Sequence, residues 1–245
     1  MKTAIITGAG TGIGAAAAKR LSLNGWTVVL VGRRPDKLQE TAAACKQGST
    51  IVLADDLADP AAAARIVEKT LEATGRIDAL INNAATIKVM PVTDYPLEQI
   101  DLHWAINIRA PFLLIQAAVP ALRKSSGAIV NISSSSGTLV RKGQSLYGMT
   151  KAALEYLTRS LAGELAADRI RVNALALGPV DTPIHETWAS NLQEAYEWLA
   201  GQVPLGRIGN ADEVARWIDL LVSPDSAWVT GACIPIDGGQ VLDIT

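Results

Sequence analysis

The segment Thr7-Gly8-Ala9-Gly10-Thr11-Gly12-Ile13-Gly14 constrains the fold of this chain more than any other. It follows the apolar run 3–6, which reads as a strand, and opens a stretch at 14–24 that reads as a helix closed by Gly25. Glycines at a strand-to-helix turn let backbone N–H groups and the helix N-terminus approach an anion, because a Cβ there would block the approach. This is the context of the first βα unit of a dinucleotide-binding fold, with a diphosphate on the turn. A tight βα turn without a ligand uses glycines too, and the spacing differs from the common GxGxxG.

The rest of the chain repeats the alternation. Short apolar runs at 27–31, 50–53, 79–81, 128–132, 171–175 and 232–236 read as strands, and 60–74, 97–123 and 146–167 as helices. The expected fold is α/β, a Rossmann-like doubly wound parallel sheet of about seven strands with helices on both faces. No linker, repeat or low-complexity tract interrupts it, so residues 1–245 read as a single domain. The small side chains Ala15 to Ala18 suit close helix-on-sheet packing.

Composition narrows the partners. The 22 Lys+Arg and 24 Asp+Glu leave a net charge of −2, no bulk field for nucleic acid or an anionic membrane surface. With 49% hydrophobic and 19% charged residues the chain reads as globular. Two distant cysteines, Cys45 and Cys233, and two histidines, His103 and His185, offer neither a disulfide framework nor a metal-ligand pattern. The start is too short in apolar residues for a signal peptide, and no later 18-residue apolar run stands out. The expectation is a soluble, untargeted, cytoplasmic protein without a metal.

In a dinucleotide fold the residue ending the second strand meets the adenosine ribose: a carboxylate accepts from a free 2′-hydroxyl, an arginine receives a 2′-phosphate. Here the stretch is Val31-Gly32-Arg33-Arg34. The carboxylate is missing, and two guanidinium forks suited to phosphate stand in its place. The expected cofactor is therefore NADP(H), with NAD(H) the alternative, since loop arginines also serve only solubility.

Tyr147 and Lys151 lie four apart in a segment whose Leu154, Leu157, Leu161 and Leu165 keep helical spacing, so phenol and ammonium share a face. A phenol with a pKa near 10 is a poor acid or base at neutral pH until a nearby cation stabilises its anion. Ser134, at the end of the run 128–132, falls where an open parallel sheet presents its ligands. Seen alone, one serine among Ser133 to Ser136 needs no chemistry to explain it.

Taken in order, these residues resemble the short-chain dehydrogenase/reductase family in its form of about 250 residues. The resemblance runs through TGAGTGIG at Thr7, Asp56, NNAA at Asn82, Asn107, Ser134, Tyr147 with Lys151, GPVDTP at Gly178 and IDGG at Ile236. The interval of thirteen from Ser134 to Tyr147 matches the family and selects Ser134 among its neighbours. The resemblance implies that Tyr147 is the general acid/base, Ser134 orients the substrate oxygen, and Lys151 binds the nicotinamide ribose while lowering the tyrosine pKa. It implies that Asn107 holds a relay water. For the cofactor it implies contacts from Gly8, Thr11, Gly12, Ile13 and Gly14 to the diphosphate, and from Asp56 and Leu57 to adenine. Asn83, Ala84 and Ala85 would line the ribose, and Gly178, Val180 and Thr182 the carboxamide. It also implies a homotetramer, or a homodimer, built on the helices at 97–123 and 146–167.

Three positions depart from the family. NNAG is NNAA, adding a Cβ at Ala85; the proline before Gly178 is Leu177; and a usual glycine is Arg169, preceded by Asp168, which would repel an acidic acyl carrier. The stretch 183–204 corresponds to a lid over the substrate, with His185, Trp188, Tyr196 and Trp198 as candidate walls or packing contacts. Lys88, Arg141 and Lys142 follow the fourth and fifth strands and could favour an anionic substrate. Trp104 and Phe112 read as core or subunit contacts. The implied activity is hydride transfer between nicotinamide and a carbonyl or secondary alcohol, as a ketone reductase. The alternatives are an NAD-linked sugar or polyol dehydrogenase, a 3-oxoacyl-thioester reductase, and a non-catalytic dinucleotide sensor. A sugar-nucleotide epimerase lacks support in the glycine spacing.

Overall fold

Strands apolar on both faces need helices on both faces, and the chain supplies them. A computed structural model describes residues 1–242, so the final part of the expected domain, 243–245, lies outside the described residues. One sheet contains seven parallel strands: β1 (Thr3–Thr7), β2 (Thr27–Gly32), β3 (Thr50–Ala54), β4 (Ala79–Asn82), β5 (Ala128–Ser134), β6 (Arg171–Leu177) and β7 (Cys233–Ile236). Their order is β3-β2-β1-β4-β5-β6-β7, which reverses direction between β1 and β4. That reversal opens the crevice where such sheets bind ligands.

Alternate strand residues feed two cores. Ala4, Ile6, Val28, Leu30, Ile81 and Val130 pack under α1 (Gly12–Leu23), α2 (Pro35–Ala44) and α8 (Ala211–Val222). Ile5, Val29, Leu80, Ile129 and Val172 pack under α3 (Ala62–Thr74), α5 (Ala110–Ser125) and α6 (Ser145–Glu164). The small face of α1, with Ala17 and Ala18 fully buried, lets it lie close to the sheet, as the alanine cluster suggests.

Several boundaries differ from expectation. Glycine turns into helix earlier, at Gly12, and β5 and β6 each run two residues further, to Ser134 and Leu177. Ser134 pairs with Leu177 in register, and Leu177 pairs with Ile236. Leu177 is thus a buried strand residue, and Gly178 N–H donates to the Ile236 carbonyl at 3.1 Å. A side chain at Gly178 would meet Asp237 Cα at 2.7 Å, so the IDGG loop packs on that glycine. A helix start at Pro35 is readable from the proline and Asp36 and α2 begins there, whereas α7 (Leu192–Ala200) and α8 are not among the expected elements. For α8 the signal is present: Asn210 and Glu213 form a capping box before Val214, Ala215, Ile218, Leu221 and Val222.

The expected helix over 97–123 is continuous but not uniform. It comprises α4 (Leu97–Trp104), a π-helical turn at Ala105–Arg109, and α5. By length and composition this helix could cross a membrane, against the expectation that no such run exists, but 56% of the window is buried. Its Leu114, Ala118 and Leu122 lie against the sheet. Trp104 and Phe112, by contrast, are half-exposed and therefore outside the core.

Arg169 adopts φ +57°, the left-handed conformation that costs a side-chain-bearing residue about 1–2 kcal/mol. It is exposed, and it follows a 3₁₀ turn at Ala166–Asp168 that leads into β6. Replacing it by glycine removes the clash and adds entropy to the unfolded chain, which offsets part of the gain. Arg169→Gly should therefore raise stability by about 0.5–1 kcal/mol in chemical denaturation.

Candidate active site

The carboxyl ends of β4 and β5 deliver the first group of residues. Ser134 closes β5, Tyr147 sits in the first turn of α6, and Lys151 lies one turn later, so the three converge where the strand loop meets the helix. Tyr147 and Lys151 are buried, at 8% and 2% exposure. Lys151 Nζ donates to the Ile132 carbonyl at 2.8 Å and lies 5.5 Å from the centre of the Tyr147 ring. Asn107 occupies the π turn, whose irregular winding turns it toward α6. Its Nδ2 donates to the Thr86 carbonyl and to Thr150 Oγ1, both at 3.0 Å, and its Oδ1 accepts from Thr86 N at 2.9 Å. Thr150 in turn donates to the Tyr147 carbonyl at 2.7 Å. The Asn107 side chain is therefore a brace joining the loop after β4 to the tyrosine helix.

Burial dominates the electrostatics. It pushes the Tyr147 phenol up to about 12, against a lowering pull from the Ser134 hydroxyl. It draws the Lys151 ammonium down to about 8, against the opposing pull of the Glu155 carboxylate. Lys151 gives one of its three N–H donors to a backbone carbonyl, and desolvation is the largest influence on the phenol. At neutral pH the arrangement presents a protonated phenol beside an ammonium.

The glycine turn lies at the crevice between β1 and β4. Gly8 and Gly12 have φ +65° and +54°. A Cβ at Gly14 would strike the Gly8 carbonyl oxygen, and one at Gly12 would meet Thr182 Cγ2 at 3.0 Å. Thr11 caps α1 without a side-chain hydrogen bond, which leaves the N–H groups of Gly12, Ile13 and Gly14 for an external acceptor. These residues fit a diphosphate. The turn is anchored on both sides, by Ala9 N–H to the Val31 carbonyl at 3.1 Å and by Asn83 Nδ2 to the Thr7 carbonyl at 2.8 Å. Thr7 Oγ1 accepts from the N–H groups of Asn83 and Ala84.

The remaining expected residues divide. Arg33 and Arg34 are exposed beyond β2 with no ion pair among the described residues, and Asp56 is exposed beyond β3, its Oδ1 capping Ala58 N. Leu57 is 7% exposed and belongs to the core beneath α3, so its side chain is a packing residue and only its backbone is left to meet adenine. Asn83 spends its amide on the glycine turn, and Ala84 and Ala85 line the same junction half-buried. Val180 and Thr182 follow Gly178, with Thr182 Oγ1 donating to the Val180 carbonyl.

A sequence profile described as enoyl-(acyl carrier protein) reductase matches residues 8–240. L-xylulose reductase of Bos taurus is 35% identical, with 97% of this chain and 96% of that protein covered. A crystal structure of a short-chain type dehydrogenase/reductase from Mycobacterium marinum superposes with a TM-score of 0.90 at 32% identity, covering 98% of this chain and 95% of its own. The 3-ketoacyl-(acyl-carrier-protein) reductase from Brucella melitensis, crystallised with NADH, gives 0.91 at 29% identity, with 98% of each chain covered. The chain belongs to the short-chain dehydrogenase/reductase family. It is accordingly an oxidoreductase of alcohol and carbonyl groups.

As a short-chain dehydrogenase/reductase, the protein also carries supporting residues that sequence reading passed over. Asn82 Nδ2 donates to Asn131 Oδ1 and Asn131 Nδ2 to Thr158 Oγ1, both at 2.9 Å, a buried polar line from β4 through β5 to α6. Ser133 Oγ donates to Glu155 Oε1 at 2.8 Å, and Ser135 Oγ to Gln240 Oε1 at 2.9 Å, which ties the end of β5 to the turn after the IDGG residues. A polar residue inside an otherwise apolar strand, such as Asn131, is the signal that could have found this line. Asp168 is paired with Arg123 at 2.7 Å, so its charge is largely neutralised and its expected repulsion of an acidic carrier is weakened.

Proposed function

We propose that this protein is an NADP(H)-dependent reductase of ketones, with Tyr147 as the proton donor, and that it works as a cytoplasmic homotetramer or homodimer on a small-molecule substrate, without nucleic acid or membrane. The observation that carries the reading is the convergence of buried Tyr147, buried Lys151 and Ser134 at the carboxyl end of β5, one crevice away from an uncapped, glycine-lined helix N-terminus. Gly8, Thr11, Gly12, Ile13 and Gly14 would hold the diphosphate, and Arg33 and Arg34 the 2′-phosphate. Asp56 would meet the adenine, Asn83 to Ala85 would line the ribose, and Gly178, Val180 and Thr182 would meet the carboxamide. The bound nicotinamide supplies hydride to the substrate carbon.

The chain's own residues handle the proton. The Ser134 hydroxyl donates to the substrate oxygen and holds it against the Tyr147 phenol, which is protonated at neutral pH and gives its proton to that oxygen as negative charge develops. Lys151, held by the Ile132 carbonyl, places its positive charge beside the phenolate left behind. Both N–H donors of the Asn107 side chain are taken by Thr86 and Thr150, and the relay water would be held by its backbone carbonyl. The stretch 183–204 would close over the substrate. Half-exposed Trp104 and Phe112, with exposed Met149 and Tyr156, give α4 to α6 the apolar face that a subunit contact needs. A 3-oxoacyl thioester is a second substrate class, which Asp168 opposes less strongly because Arg123 pairs with it.

Two measurements test this. Lys151 is cationic below about pH 8 and neutral above it, whereas Tyr147 keeps its proton to about 12. Reductive kcat/KM should therefore be level from neutral pH to about 8 and fall above, and a fall that begins only near 10 would remove Lys151 from the assignment. Arg33→Ala should weaken NADPH by about tenfold or more while changing NADH little, because a charged hydrogen bond to phosphate is worth about 1.5–3 kcal/mol. Equal losses in a nicotinamide fluorescence titration would sink the 2′-phosphate contact.

A further inference from the structure

Burial depresses the pKa of two guanidiniums in this protein, and the two are treated differently by their surroundings. Arg171 is met by the carbonyls of Leu221, Ser223 and Ser226 and by the Ser226 hydroxyl, at 2.7 to 3.2 Å. The Arg141 guanidinium has neither a hydrogen bond nor an ion pair among the described residues, its carbonyl alone accepting from Gln144 N–H at 3.2 Å, and its nitrogens are not sealed from solvent. A partly buried charge without a partner is costly, and a ligand of opposite sign offsets that cost.

The position of Arg141 makes that ligand a substrate. The loop that carries it begins at Ser134 and ends at α6 with Tyr147, and it is folded back on itself by Ser136 Oγ donating to Gln144 Oε1 at 2.8 Å. The Tyr95 hydroxyl lashes this loop to the one after β4, lying 2.7 Å from the Lys88 carbonyl and 2.8 Å from that of Gly143. Met90 N–H adds a bond to Gly143 at 3.0 Å. The lashing brings the backbones of Lys88, Arg141 and Lys142 to one rim, and Lys88 and Lys142 also lack ion pairs among the described residues. The nearby acid Asp94 accepts from Thr93 Oγ1 instead.

We propose that the carbonyl substrate bears an anionic group, a carboxylate or a phosphate, held in the fork of Arg141 with Lys88 and Lys142 around it. The proposal rests on the reductase reading and specifies its substrate class. Binding of the anion returns the lost solvation to Arg141 and sets the distance from anchor to carbonyl.

The test uses matched pairs with the wild-type protein and NADPH: 3-oxobutanoate and 4-oxopentanoate against their ethyl esters, and dihydroxyacetone phosphate against dihydroxyacetone. The acid or the phosphate should exceed its neutral partner in kcat/KM by about tenfold or more, and which of the two does so identifies the anion. Arg141→Gln should shrink that ratio by about tenfold, chiefly through KM, and Arg141→Lys should restore part of it. Neutral partners turned over as well as the charged ones would overturn the proposal. So would an unchanged ratio in Arg141→Gln, or turnover of neither together with no thermal shift that distinguishes acid from ester. Esters reduced as well as the acids, with that reduction lost in Tyr147→Phe, would leave the reductase reading intact while this proposal fails, whereas reduction that survives Tyr147→Phe would strike at that reading itself.

Discussion

A buried ammonium sets the terms for this structure. Removing a charge of that size from water costs several kcal/mol even after relaxation, and Lys151 is almost fully enclosed. The Ile132 carbonyl and the nearby Glu155 carboxylate offset that cost, and both depend on β5 and α6 being held in one relation. The Asn82–Asn131–Thr158 line and the Ser133–Glu155 bond tie the same strand to the same helix. The proton chemistry assigned to Tyr147 is a consequence of this dry junction, since a solvated phenol and ammonium would each return toward their ordinary titration ranges.

The π turn at Asn107 extends the same logic to the loop after β4. A regular helix over 97–125 would satisfy its backbone by itself and leave Thr86 unbound, whereas the extra residue per turn lets the Asn107 amide join Thr86 to Thr150. The loop so fixed carries Ala84 against the glycine turn and leads on to Lys88. Asn107 in this way shares with Asn83 and Tyr95 the positioning of the loop after β4.

Much of this is legible in the sequence because it follows local rules. The strands alternate with amphipathic runs, the glycines sit where a strand turns into a helix, and Tyr147 and Lys151 share a helical face whatever their neighbours are. What escaped depends on contacts between distant segments. Leu57 matches a motif position yet faces the core, and only the packing of α3 onto the sheet reveals it. Asn83 and Asn107 match motif positions too, but their amides serve as braces because Thr7 and Thr86 arrive from elsewhere in the chain. The shift of Tyr147 to about 12 reflects burial, which no spacing encodes. The capping box of α8 follows a local rule as well, with Asn210 and Glu213 three apart ahead of the apolar run.

The central claim is that Tyr147 moves the proton in a carbonyl reduction, and Tyr147→Phe tests it most directly because it deletes one hydroxyl and keeps the ring. NADPH oxidation should be followed in the wild-type protein and the variant over a common panel of ketones, with NADPH binding titrated in both. The account predicts binding within about twofold and turnover lower by about 10²–10⁴-fold, the range a positioned general acid supplies. Turnover in the variant within about tenfold of the wild type would contradict it.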